Sequence, residues 1–275
     1  MEHRIFFVEG IPGSGKTTLA SELKKQLISK DVRCHCYEED ERNPLDLSMC
    51  AILTEDEYAL LKRKIIEKGK ADHSSTERML KKLDSVTEHS NGRVYVFFLP
   101  LYSDADLNCV AVSLQQYEVY NGHYSFDKFR EVHFERWNSF CLSEVNTENV
   151  YICDALFLQS PLFELIGFYD LSFDQISEYI RGLYSAVNDL SPVVYYNRVS
   201  DVAKLMRFVC ENRKNSGDRW ERGFYKWMEA SPYCQKHNYR CFDGMCAFLE
   251  ERQKIEIQLL KRIGIPCIFV ERDVL

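Results

Sequence analysis

The sequence has no long hydrophobic run and no excess of basic residues. No apolar stretch approaches the roughly 18 residues that a membrane-spanning helix needs, so we expect no transmembrane segment. The first apolar run begins almost at once, so we expect no signal peptide. The formal net charge is −7, which offers no basic field to attract a phosphate backbone or an anionic membrane. We therefore expect neither nucleic acid nor membrane as a partner.

The cysteines lack the paired spacing of a zinc site. There are 11 of them, an odd number, and neither Cys34-x-Cys36 nor Cys241-(x)4-Cys246 has a matching second pair. Most lie in apolar runs, as small core residues do. This usage fits a reducing compartment, so we expect a cytoplasmic protein. Internal repeats and low-complexity linkers are also missing, and 275 residues suffice for one large domain or two small ones.

What the sequence does contain is a glycine-rich motif at residues 4–18. An apolar, β-prone run leads into Gly-Ile-Pro-Gly-Ser-Gly-Lys-Thr, which fits G-x-x-x-x-G-K-[ST] without a mismatch, and a helical pattern follows. Strand, glycine-rich loop and helix form the context of a phosphate-binding loop, because backbone N–H groups and the helix N-terminus can surround phosphate oxygens. The alternative is a glycine-rich surface turn. The residues predicted to contact the nucleotide are Gly10, Gly13, Ser14, Gly15, Lys16, Thr17 and Thr18.

Five short apolar runs predict the strands of a parallel sheet. Helical patterns lie between most of them, which favours an α/β fold of three layers with helices on both faces. About 110 residues separate the second run from the third, so we predict a single domain over 1–275 with a largely helical insert at 41–148. The runs are 4–9, 32–37, 150–154, 193–196 and 266–270; inside the insert, 55–69, 70–92 and 126–142 are predicted helices and 93–99 an extra strand.

Ligands of such sheets bind beyond the carboxyl ends of the strands, where this sequence has several acids. Thr17 and Asp154, which ends the third run, are the predicted Mg²⁺ ligands, although Asp154 could instead cap the next helix. The acidic stretch 38–41 and the nearby Asp46 suggest a general base or a clamp for an acceptor hydroxyl. Glu39 and Asp46 are the leading choices, and a solvated acidic loop explains most of the others.

Three further features adjoin this edge of the predicted sheet. Glu9 lies next to the glycine-rich loop and is expected to hold it by hydrogen bonds. Gln159 and Ser160 lie where they could touch a substrate. The polar, arginine-rich stretch within 207–230 has the composition of a lid that closes over phosphates. The alternative is an ordinary charged helix turn. Lys16, Arg207 and Arg213 are expected to stabilise the transferring phosphoryl group. Arg213 and Arg219 are also expected to bind the nucleotide.

The opening Phe-Phe-Val-Glu-Gly-Ile-Pro-Gly-Ser-Gly-Lys-Thr-Thr resembles the start of thymidylate kinases and deoxynucleoside kinases. Residues 191–213, with Arg207 and Arg213, are similar to the fourth strand and the beginning of the lid in the same P-loop nucleoside/nucleotide kinase superfamily. The resemblance implies a P-loop NTPase fold with strand order 2-3-1-4-5 and phosphate-gripping arginines in the lid. It also implies a catalytic acid just after the second strand, at Glu38 or Glu39.

The resemblance covers about a third of the chain and has clear departures. Ala155 follows Asp154, where both kinase groups carry an arginine, and the insert matches neither group. The identity of the phosphoryl acceptor is therefore not transferable.

These patterns predict a Mg²⁺-dependent ATP phosphotransferase. Lys16 is expected to reach the β- and γ-phosphates of ATP, and the acceptor is expected to be a nucleoside, a nucleotide or a similar small metabolite. One alternative is an antibiotic or sugar-nucleotide kinase, and another is a regulatory module that binds ATP without transferring phosphate. The Asn-Lys-x-Asp motif of guanine readers is absent, which disfavours a GTPase. The sequence leaves open whether the chain forms a homodimer.

Overall fold

The computed structural model describes residues 3–38, 42–68, 73–215 and 220–272. The strands are β1 (Ile5–Gly10), β2 (Cys34–Tyr37), β3 (Cys50–Leu53), β4 (Thr87–Ser90), β5 (Arg93–Phe97), β6 (Val150–Asp154), β7 (Pro192–Val199) and β8 (Cys267–Arg272). The helices are α1 (Lys16–Ile28), α2 (Glu55–Lys68), α3 (His73–Ser85), α4 (Asn108–Leu114), α5 (Phe126–Glu144), α6 (Gln159–Gly167), α7 (Phe173–Ala186), α8 (Val202–Asn215), α9 (Trp220–Ala230), α10 (Pro232–Lys236) and α11 (Cys241–Ile263). Two compact units form, one from residues 1–46 and 130–275 and the other from 47–129.

The first unit contains a five-stranded sheet whose pairings are all parallel, which confirms the expected α/β class. Its strands lie in the order β2-β6-β1-β7-β8. These labels differ from the expected 2-3-1-4-5 because β3, β4 and β5, which form a separate sheet, enter the numbering along the chain. Strand β1 lies at the centre, and all six of its residues are buried. The chain that follows β1 therefore leaves the sheet at the middle of its carboxyl edge.

Both faces of β1 are covered by packed side chains. Phe6 and Val8 belong to a core cluster that includes Leu23 of α1. On the opposite face, Phe7 stacks on Trp137 of α5 and on Phe157, with ring centres 5.6 and 4.9 Å apart. This alternation is what the pleat of a strand buried on both faces requires, and it is compatible with three layers.

The second unit contains a three-stranded antiparallel sheet in the order β3-β5-β4. Its core gathers apolar residues from β3 and β5 with side chains of α2, α3 and α4. The insert therefore holds a sheet where the sequence predicts mostly helix. Only β5 coincides with an expected strand, and the stretch predicted as a helix at 70–92 divides into α3 and β4.

Most of the other predicted elements are found with shifted ends. Strand β6 has the predicted bounds, whereas β7 extends to Val199 because it pairs with β8 as far as Arg272. Strand β2 is shorter than predicted, since its pairing with β6 begins at Cys34. Helix α2 ends at Lys68, and the predicted last residue Gly69 lies outside the described residues. In the described part of the chain, no helix combines the length and the apolar character needed to cross a membrane.

Candidate active site

The connection between β1 and α1 is a tight loop that depends on glycine. Gly10 and Gly13 have φ angles of 141° and 78°, which residues with a side chain rarely adopt. A Cβ on Gly10 would lie 2.7 Å from the carbonyl oxygen of Asn197, and one on Gly13 would overlap Cγ2 of Val209 in α8. Helix α1 begins with Gly15 as its N-cap, which has no side chain to cap the first turn. The N-terminal N–H groups of α1 are thus left for other partners.

Lys16 lies in the first turn of α1 and is only 4% exposed. Its Nζ donates a hydrogen bond to Oε1 of Gln159 at 2.9 Å and a longer one to the carbonyl oxygen of Ile11 at 3.4 Å. Burial of an ammonium group is costly unless it is hydrogen-bonded, so these two acceptors fix where Lys16 lies. Gln159 is the first residue of α6 and is also buried.

Thr17 and Asp154 are in direct contact. The Thr17 hydroxyl donates to Oδ2 of Asp154 at 2.6 Å. The contact is consistent with the topology, because β6 lies beside β1 with Asp154 opposite Val8, near the strand end from which the chain continues to α1. A hydroxyl and a carboxylate are oxygen ligands of the type that Mg²⁺ prefers. The two residues predicted as metal ligands are therefore neighbours, and their chemistry fits that ion.

Glu9 bonds to the chain after β6. Its Oε1 accepts a hydrogen bond from the N–H of Phe157 at 2.7 Å, and its Oε2 accepts one from the N–H of Gln159 at 3.0 Å. These contacts hold the segment 157–159. The sequence predicts instead that Glu9 holds the glycine-rich loop. Burial raises the pKa of Glu9 to about 8, with a further rise from the nearby carboxylate Glu256, although the backbone N–H donors act in the opposite direction.

Asn197 is a site residue to which the sequence analysis assigned no role. It is fully buried near the carboxyl end of β7, and its Nδ2 donates to the carbonyl oxygen of Ser14 at 3.0 Å. The available signal was its position, since it follows an apolar run whose strand lies beside β1. The amide thus ties the glycine-rich loop to the sheet.

The loop that carries Asp46 is held by side-chain hydrogen bonds. Oδ1 of Asn43 accepts from the N–H groups of Leu45 and Asp46 at 2.9 and 2.6 Å, which closes an Asx turn. Two residues of α5 grip the same loop, because Arg136 donates to the carbonyl oxygen of Asn43 and Trp137 to that of Leu45. Asp46 is buried, which distinguishes it from the carboxylates of a solvated acidic loop.

The arginines predicted for a lid lie against aromatic rings. The guanidinium carbon of Arg213 is 4.9 Å from the centre of the Trp220 ring, and that of Arg207 is 5.7 Å from the Phe242 ring. Their contact with a bound nucleotide stays a prediction. Two other predicted site residues, Glu39 and Arg219, lie outside the described residues, and Glu38 is exposed.

Within the described residues, no group of three or more His, Cys, Asp or Glu side chains could hold a metal ion by itself. A magnesium ion at Thr17 and Asp154 would therefore need phosphate oxygens and water as further ligands. No family model matches the sequence, and no curated protein is significantly similar to it.

Proposed function

We propose that this chain is a Mg²⁺-dependent ATP phosphotransferase with the P-loop NTPase fold of nucleoside and nucleotide kinases. The observation that carries the proposal is the contact of Thr17 with Asp154 beside the buried ammonium of Lys16. A cation for phosphate, two oxygen ligands for magnesium and a glycine-dependent loop before a helix N-terminus are the parts that phosphoryl transfer uses. In a glycine-rich surface turn, by contrast, the lysine would be expected to lie exposed to solvent.

Each part has a defined task in the proposed reaction. Bound ATP would supply the phosphoryl group, and its Mg²⁺ would neutralise part of the phosphate charge. Lys16 would contact the β- and γ-phosphates, and Thr17 and Asp154 would orient the metal side of the nucleotide. Asp46 would orient an acceptor hydroxyl and take its proton, because a carboxylate is the usual group for this task in kinases. Arg213 would move from Trp220 onto the phosphates and stabilise the charge that develops during transfer.

The test is ADP release with Mg·ATP and pooled acceptors: nucleosides, nucleoside monophosphates, amino sugars and aminoglycosides. Lys16→Ala is the inactive blank, and Lys25→Ala is its matched control, since Lys25 is an exposed lysine on the same helix. We expect one pool to raise ADP release in wild type and in Lys25→Ala but not in Lys16→Ala. A signal from aminoglycosides or amino sugars alone would identify an antibiotic or sugar kinase instead.

Binding of Mg·ATP by calorimetry separates the remaining outcomes. Tight binding with no pool active would favour a regulatory module that binds ATP without transferring phosphate. An unchanged affinity in Lys16→Ala would contradict the assignment of Lys16 to the phosphates and with it the proposed site.

A further inference from the structure

Gln159 is held in place from the central strand of the sheet. Its backbone N–H donates to Oε2 of Glu9, and the other oxygen of Glu9 fixes the backbone two residues earlier, at Phe157. Gln159 is the first residue of α6, so its backbone is also set by the helix that follows. The side chain therefore extends from a rigid base to Lys16, and the 2.9 Å contact is not the result of a mobile loop.

The Lys16 ammonium has three N–H donors, and phosphate oxygens would compete for them. In the structure its short bond is to the Gln159 amide oxygen, whereas the bond to Ile11 is long at 3.4 Å. A neutral amide oxygen is a weaker acceptor for a cation than a charged phosphate oxygen. It can stabilise the buried ammonium when no nucleotide is bound and still be displaced by phosphate. A carboxylate at this position would hold the ammonium more strongly and would repel phosphate.

We propose that Gln159 is a positioning residue that holds Lys16 in the nucleotide-free site and releases it to the phosphates, with Glu9 as the anchor that keeps Gln159 in reach. The inference rests on the proposed function, because release requires that a nucleotide binds at Lys16. It goes beyond that function by assigning a role to Gln159 that changes during binding. Nucleotide binding must therefore break the hydrogen bond between Gln159 and Lys16, which lowers the affinity for the nucleotide.

Two substitutions test the two sides of this competition. Gln159→Met keeps the length of the side chain and fills the buried space but removes the acceptor. We expect it to tighten Mg·ATP binding roughly three- to tenfold, because one charge-assisted hydrogen bond no longer has to break. Gln159→Glu is expected to weaken binding by about tenfold or more. Gln26→Met and Gln26→Glu, on the exposed side of α1, are the matched controls and should leave the affinity unchanged.

A second measurement does not depend on nucleotide. An amine-reactive ester acylates lysines, and mass spectrometry gives the rate at Lys16. In the nucleotide-free protein we expect this rate to rise several-fold in Gln159→Met, since Lys16 has lost its short bond, and to fall in Gln159→Glu. Saturating Mg·ATP should suppress acylation of Lys16 in wild type and in Gln159→Met alike. A residue with only a packing role would not change the rate in opposite directions.

The outcomes are distinguishable. Weaker or unchanged Mg·ATP binding in a folded Gln159→Met protein would overturn the inference, because the bond would then assist binding or play no part in it. An unchanged acylation rate would overturn it as well. If wild type does not bind Mg·ATP at all, the proposed function fails and the release of Lys16 fails with it, while the acylation rates still report whether Gln159 holds Lys16.

Discussion

Glu9 gives the protein a pH dependence of stability that can be measured directly. The pKa of this carboxyl is raised from its ordinary value of 4.5 to about 8, chiefly because it is buried. The carboxylate of Glu256 in α11 adds to the rise, and Glu256 is itself in contact with Arg252 at 3.0 Å and with the Tyr196 hydroxyl at 2.5 Å. Glu9 in turn contributes to the raised pKa of the Cys153 thiol, although burial of that thiol is the larger cause.

The sign and size follow from proton linkage. Between pH 4.5 and about pH 8 the unfolded chain has lost the proton of Glu9 and the folded chain still binds it. The contribution to the free energy of unfolding is therefore fully present below pH 4.5 and is lost as the pH rises through about 8. A pKa difference of about 3.5 corresponds to roughly 5 kcal/mol over the whole window, at about 1.36 kcal/mol per pH unit.

The perturbation is Glu9→Gln, which removes the titration and keeps the shape of the protonated carboxyl. The variant loses one acceptor for a backbone N–H, which costs about 1–3 kcal/mol at every pH. Urea unfolding at several values from about pH 5 to about pH 8 gives the free energy of unfolding of both proteins. We expect wild type to be the more stable at the acid end and to lose this advantage progressively as the pH rises.

Glu22→Gln on the exposed face of α1 is the matched control and should show no such trend. A difference between wild type and Glu9→Gln that stays constant over this pH window would refute the reasoning. It would mean that the two backbone donors keep the carboxylate ionised in spite of its burial.

Three further predictions concern the loop, the lid and a helix cap. Gly13→Ala should lower the melting temperature and Mg·ATP affinity, and Val209→Ala in the same chain should restore only part of the loss, because the strain at a φ of 78° persists. Arg213→Ala should lower turnover about a hundredfold with little change in stability, whereas Arg262→Ala, an arginine 5.3 Å from a different aromatic ring, should not alter turnover; equal losses of melting temperature and activity would assign Arg213 to packing. Ser172→Ala removes the capping box of α7 and should lower the free energy of unfolding by about 1 kcal/mol, with calorimetry showing unchanged nucleotide affinity.

The parts of the fold that sequence reasoning reached are those with local signals. Strand β6 was predicted with its correct bounds because five consecutive buried residues form an uninterrupted apolar run ending in an acid. The sequence places Thr17 and Asp154 at the same edge of the sheet because parallel strands bring their carboxyl ends together, and the two side chains are in contact. Their binding of Mg²⁺ stays a prediction. In both cases the information is contained in the residue types and their distance from a strand end.

The second sheet was largely missed for physical reasons. Strand β3 is only four residues long, and a buried apolar run of that length has no periodicity that separates strand from helix. Strand β4, Thr-Glu-His-Ser, is polar and partly exposed, and it forms because β5 offers it an antiparallel edge. Its conformation is thus set by a partner strand rather than by its own side chains.

Contacts between distant parts of the chain could not be predicted from the sequence either. Glu9 and Gln159 are separated by 150 residues, as are many other pairs that never meet. The sequence indicated that Glu9 lies near the loop but not that its two oxygens accept from a segment after β6. Only the register of β1 against β6 decides which backbone N–H groups come within reach.

Because Lys16 is buried, salt should affect the association rate of a nucleotide and the lifetime of the bound nucleotide differently. The chain has a net charge of −7, which repels an anion at long range, and dissolved salt screens this repulsion over roughly 10 Å. Lys16, at 4% exposure, is largely beyond the reach of those ions. Raising the ionic strength would therefore speed the association of Mg·ATP and leave the lifetime of its contact with Lys16 almost unaltered. The affinity for Mg·ATP would then increase with salt. A phosphate site built from surface lysines would behave in the opposite way.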